Sequence, residues 1–166
     1  MRRVLIFLTL VIVLVGNLYS QGPRGKSFGF GIILGEPTGL TGKLWLNREN
    51  AIDFSVGSSY FGALRFTGDY LWHFDSFDSQ VVKLYAGPGL AIGTGESGGW
   101  IYKKKDDEYW YRKSDDLGIG VRGLFGLNII PKRSPLEIFV ELGVLVGLTP
   151  RTGASGEAAI GIRFYP

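Results

Sequence analysis

Beyond residue 26 the chain alternates apolar with small or polar residues at a period of two, in segments of about ten residues. That is the period of a β-strand, and no stretch there carries the 3.6-residue rhythm of an amphipathic helix. Phe28, Phe30, Ile32 and Leu34 share one face, with Gly29, Gly31 and Ile33 on the other. Leu40, Leu44 and Leu46 oppose Thr41, Lys43 and Trp45. Ile52, Phe54, Val56 and Tyr60 oppose Asp53, Ser55, Gly57 and Ser59. Further segments run from Leu64 to Phe74, Val82 to Ile92, Leu117 to Leu127, Leu136 to Val146 and Ala158 to Phe164. Turn-forming stretches such as Glu36-Pro37-Thr38 and Asn47-Arg48-Glu49-Asn50 separate them. A sheet of about eight such strands leaves two open edges unless it closes on itself. The pattern therefore predicts an all-β fold, a closed antiparallel up-and-down barrel of about eight strands.

Alternation alone does not say which face is outside. A soluble, lipocalin-like barrel that carries lipid hides its apolar face, whereas a transmembrane barrel displays it. Three features point to display. Glycines such as Gly29, Gly31, Gly87, Gly126, Gly143 and Gly161 crowd the polar face. A wetted face gains nothing from them, but a narrow lumen needs the room. The same face carries Lys43, Arg65, Lys83, Arg122 and Arg163 against Asp53, Asp69, Glu137, Glu141 and Glu157, a matched set that predicts an enclosed ion-pair network. Finally, aromatics of the apolar face gather at strand ends: Phe28, Trp72, Phe74 and Phe164 fall at one end of an up-and-down barrel, as an interfacial belt would. Connections agree, because with both termini periplasmic the turns near 47–50, 75–80 and 130–135 are short, and the long 95–116 segment lies outside.

The N-terminus fits export. Met1-Arg2-Arg3 is a positive start, Val4 to Val15 an apolar run broken only by Thr9, and Ser20 a small residue before Gln21. Twelve helical residues reach only about 18 Å, short of a ~30 Å hydrocarbon core, so residues 1–20 read as a cleaved signal peptide and 21–166 as the barrel domain. The sequence holds no cysteine, which excludes lipoprotein attachment, disulfides and thiolate metal sites. Removing Arg2 and Arg3 lowers the formal charge from +3 to +1, so the basic pI is no sign of nucleic-acid binding.

The stretches Gly35-Glu36-Pro37-Thr38-Gly39-Leu40, Asp69-Tyr70-Leu71-Trp72-His73 and Pro135-Leu136-Glu137-Ile138-Phe139 resemble small bacterial outer-membrane barrel proteins. More distantly, the design resembles the eight-stranded transmembrane domain of outer-membrane protein A. The resemblance covers residues 27 to 165. It implies residence in the cell outer membrane, contact with its lipids and lipopolysaccharide, and insertion by the barrel assembly machinery as a monomer.

No motif carries chemistry. Gly93-Thr94-Gly95-Glu96-Ser97-Gly98 and Gly118-Ile119-Gly120-Val121-Arg122-Gly123 match a dinucleotide fingerprint but open no helix and sit in no βαβ unit. His73 is the single histidine, and Asp75 and Ser76 beside it raise a Ser-His lipid hydrolase as an alternative. A strand running inward leaves His73 at the periplasmic rim, remote from outer-leaflet lipid, so a structural hydrogen bond is the expected role. Glu137 and Glu141 face the lumen together as partners for cations, and eight strands enclose a lumen that side chains fill. No catalytic residue, metal or cofactor is expected. The segment Trp100-Ile101-Tyr102, Lys103 to Glu108, then Tyr109-Trp110-Tyr111 predicts a hairpin with a charged tip. Trp100, Tyr102, Lys104, Tyr109 and Trp110 are its candidate contact residues, on a hairpin made by the flanking strands projecting past the bilayer.

Overall fold

The computed structural model describes residues 23–75, 79, 81–95, 100–102, 109–111, 117–149 and 152–166. The alternating segments are strands: β1 (Phe28–Gly35), β2 (Thr38–Trp45), β3 (Asn50–Ser59), β4 (Gly62–Asp75) and β5 (Val82–Thr94). After two three-residue strands, β6 (Trp100–Tyr102) and β7 (Tyr109–Tyr111), come β8 (Gly118–Ile129), β9 (Leu136–Thr149) and β10 (Gly153–Phe164). Neighbours pair antiparallel from β1 to β5, then β5 with β8, β8 with β9 and β9 with β10. Strand β10 returns to β1 from Phe30↔Phe164 to Gly35↔Ala159, closing an eight-stranded barrel. The proposed signal segment and its cleavage point lie outside the described residues.

Register follows the hydrophobic pattern. Ile32 pairs with Ile162, Ile162 with Ile138 and Ile138 with Ile129, so one apolar row crosses four strands on the outside. A slip of one residue would turn this row inward and expel the charged set, which penalises any other pairing. Leu142 is 58% exposed while Glu141 beside it is 4% exposed, which decides the orientation: the apolar face is outside and the ions are inside.

Two ends can now be distinguished. At the near end, where β1 begins and β10 finishes, the described β2–β3 and β8–β9 turns are short and locally held. The Asn47 side chain accepts from the backbone N–H groups of Glu49 (2.9 Å) and Asn50 (2.8 Å), an Asx turn that fixes the β2–β3 reversal. At the far end, Thr38 Oγ1 accepts from the Gly35 N–H (3.0 Å) and donates to its carbonyl (2.9 Å). Gly35 has φ +119°, a conformation side chains rarely adopt, so glycine permits the sharp β1–β2 reversal there.

The β6–β7 hairpin departs from the expected projection of the flanking strands. Its Tyr102 pairs with Ala154 of β10. Strand β1 stops at Gly35 opposite Ala159, so β10 runs on beyond its partner with one open edge, and β6 covers part of it.

Candidate functional site

The most structured chemistry lies in the lumen, where side chains form layers. Nearest the β1-start end, Trp45 Nε1 donates to the Tyr165 hydroxyl (3.0 Å), and that hydroxyl donates to Glu137. The His73 ring lies tilted beside Trp45 with ring centroids 4.3 Å apart, and Tyr85 follows at 5.2 Å. These rings are buried and plug the near end. Burial, then the Glu137 carboxylate, holds the Tyr165 phenol above its ordinary range, so it remains a donor.

Above the plug, Glu137 accepts from Lys43 (2.8 Å), Arg163 (3.1 Å) and Asn128 (3.2 Å). Lys43 also lies over the Trp45 and Tyr85 rings, at 4.7 and 4.8 Å from their centroids. Arg163 reaches Asp53 at 2.6 Å and Thr41 Oγ1 at 2.9 Å, with its guanidinium 3.7 Å from the Phe139 centroid. One residue of β10 thus ties together side chains from β2, β3 and β9. Higher still, Arg122 faces Asp69 (3.1 Å) and Glu157 (3.6 Å), while Arg65 pairs with Glu157. The far end is capped by buried Phe61, packed with Ala91 and Leu145 and partly buried Tyr60.

Glycine makes this filling possible. A methyl group at Gly126 would strike the Tyr85 ring, one at Gly161 the Phe139 ring, and one at Gly29 the Tyr165 ring. The Tyr85, Phe139 and Tyr165 rings thus each lie against a glycine of a neighbouring strand, a packing reason for the glycine-rich face.

Of the residues expected in the network, Lys43, Asp53, Arg65, Asp69, Arg122, Glu137, Glu141, Glu157 and Arg163 are buried in the lumen. Lys83 is not among them and corrects the expectation. It pairs with Asp75 at 3.0 Å, their side chains being 24% and 83% exposed, because its position on β5 falls at the near rim beyond the aromatic plug. The expected match therefore becomes four cations against five carboxylates among the described residues. Glu141 is the carboxylate held most loosely. Its nearest cations, Arg122 and Arg163, are each 3.9 Å away, and Tyr85 donates to it at 2.8 Å.

Tyr60 is the second correction. Placed on the apolar face by simple alternation, it follows an irregularity in the β3–β4 register between Gly57 and Ser59, and its hydroxyl donates to Glu157 (3.1 Å). Burial, then that carboxylate, raises the Tyr60 phenol above its usual range. Alternation also gave no warning that Tyr85, Asn128 and Tyr165 would bind carboxylates. Only the pairing of a polar-tipped aromatic with an interior position could have hinted at it.

Phe28, Trp72, Phe74 and Phe164 are exposed on the outside at the near end. Trp100, Tyr102, Tyr109 and Trp110 belong to the β6–β7 hairpin, and Lys104 lies outside the described residues. His73 is buried, its Nδ1 3.1 Å from the Glu49 carbonyl oxygen, and Ser76 lies outside the described residues. Among the described residues no group of His, Cys, Asp or Glu is arranged to hold a metal ion.

No family model matches the chain, and no curated protein matches it. Among solved structures it is similar to the N-terminal β-barrel domain of Pseudomonas aeruginosa OprF. The TM-score is 0.58 and the identity 16%, over 87% of this chain and 98% of that one. The design expected from the resemblance to outer-membrane protein A is thus met in three dimensions: this chain has the closed eight-stranded fold of an outer-membrane-type barrel domain.

Proposed function

We propose that the protein is an integral barrel of the bacterial outer membrane, non-enzymatic, with a structural or surface-interaction role carried by its far-end loops. The observation that carries this is the continuous apolar exterior. Every barrel strand, from β1 with Phe30 to β10 with Ile160, carries large apolar side chains exposed on the outside. Water would penalise that surface at roughly 25 cal/mol per Å², whereas acyl chains accept it. The fold shared with the OprF domain supports the same reading. A lumen lined by ions and closed by rings at both ends suits neither a carried lipid nor a wide channel. Specificity then falls to the connections at the far end, including the β6–β7 hairpin, where lipopolysaccharide is the neighbouring chemistry.

Electrophoresis of the detergent-folded protein with and without boiling tests this. A membrane barrel migrates differently when boiled and stays with the membrane fraction. A protein that is free in the periplasm without detergent and shows no shift would overturn the reading.

A further inference from the structure

The excess of carboxylates over cations in the lumen is concentrated in one place. Glu157 is held by Arg65, and Glu137 by Lys43 at 2.8 Å. That leaves Asp53, Asp69 and Glu141 with the guanidinium groups of Arg122 and Arg163, and Arg163 also serves Glu137 at 3.1 Å. None of these three carboxylates and two guanidinium residues is more than 5% exposed. Strand register enforces the crowding. Asp53 of β3 pairs directly with Asp69 of β4, so two inward carboxylates stand side by side, an arrangement that like charges destabilise. A methyl group at Gly89 would meet Asp69 Oδ1, so this carboxyl group lies over β5 toward Arg122. That oxygen is buried and, among the described residues, accepts no hydrogen bond.

Distances sort the three carboxylates. Asp53 accepts from Arg163 Nη2 at 2.6 Å and from the Thr41 hydroxyl at 3.3 Å. Asp69 has Arg122 Nε at 3.1 Å. Glu141 has only Arg122 Nη2 and Arg163 Nη2, each at 3.9 Å, and the latter is the nitrogen that bonds Asp53. Its close partner is instead a neutral donor, the Tyr85 hydroxyl, at 2.8 Å from Oε1. The aromatic plug below and Phe61 above separate this layer from water. In such an enclosure a third negative charge beside two cations is poorly compensated, and a carboxyl group relieves it by keeping its proton.

We infer that the lumen holds one proton as a fixed constituent, carried at neutral pH by Glu141 between Tyr85, Arg122 and Arg163. Oε1 accepts from Tyr85, and Oε2 bears the proton. Glu141 is then a neutral hydrogen-bonding side chain facing Asp53 and Asp69 across the lumen rather than a further anion beside them. The enclosed set becomes four cations and four anions among the described residues. Glu137, the other glutamate of β9, stays ionised because Lys43, Arg163, Asn128 and Tyr165 all donate to it. The inference goes beyond the membrane reading and is independent of what meets the outer surface.

The test is carbon NMR of the detergent-folded full chain, uniformly labelled with carbon-13, at neutral pH. The side-chain carboxyl carbon of Glu141 is assigned through its bonded carbons, and its shift separates an acid from a carboxylate. We expect Glu141 in the carboxylic-acid range, with an isotope shift on transfer from H2O to D2O, and Asp53, Asp69, Glu137 and Glu157 in the carboxylate range. Glu141 in the carboxylate range, or one of the other four in the acid range in its place, would overturn the proposal. Stability gives a second reading, because an amide closely mimics a neutral acid. Glu141→Gln should fold, keep the boiling shift and leave the urea midpoint close to that of wild type. A failure to fold, or a fall in midpoint as large as that of Glu137→Gln, would count against a neutral Glu141 equally.

Discussion

Burial makes the ions of the lumen unequal, and substitutions should show it. Arg122 lies beside Asp69, Glu157 and Glu141, so Arg122→Leu would leave enclosed Asp69 without its cation and weaken the hold on the other two. Removing one partner of such a set costs about 3–5 kcal/mol. We expect a clear fall in the urea midpoint of the folded barrel for Arg122→Leu and little change for Lys104→Leu. Equal midpoints would contradict an enclosed network. The two glutamates of β9 should also differ. Glu137 accepts from Lys43, Arg163, Asn128 and Tyr165, whereas Glu141 has no cation nearer than 3.9 Å. Glu137→Gln should therefore lower the urea midpoint well beyond Glu141→Gln, and the reverse order would refute the layering described. Glycines offer a test of packing rather than charge. Gly161→Ala drives a methyl group into the Phe139 ring and should cost about 1–3 kcal/mol, while Gly123→Ala points into open space outside and should be nearly silent.

Among the elements, the barrel strands and the β6–β7 hairpin stand on different footings. Strands β1–β5 and β8–β10 each have a barrel neighbour on both sides, whereas the hairpin meets the barrel through Tyr102↔Ala154. Replacing residues 97–115 by a short turn should leave the boiling shift and the urea midpoint nearly unchanged. Loss of folding would show that the hairpin closes the sheet. What the sequence made legible follows from the same distinction. Period-two alternation is enforced at every residue by burial, so the inward set from Thr41 to Arg163 could be read directly. Irregularities break that rule locally, and Tyr60, next to the shifted β3–β4 register, turns against simple alternation for that reason. Height along a strand carries no periodic signal, so alternation places Lys83 with the lumen set although it stands at the rim. Hydrogen bonds between distant segments, such as Tyr85 to Glu141, leave no trace in spacing at all.

For the molecule as a whole, everything turns on apolar side chains meeting acyl chains while the paired ions stay sealed within. The chain has no cysteine, so a single introduced thiol reports from one place. Val140 lies on the exposed face of β9 between buried Phe139 and Glu141. Val140→Cys, carrying an environment-sensitive fluorophore in reconstituted bilayers, should be quenched by lipids spin-labelled on their acyl chains and untouched by aqueous iodide. Strong quenching by iodide with none from the labelled lipids would contradict the proposed orientation in the membrane.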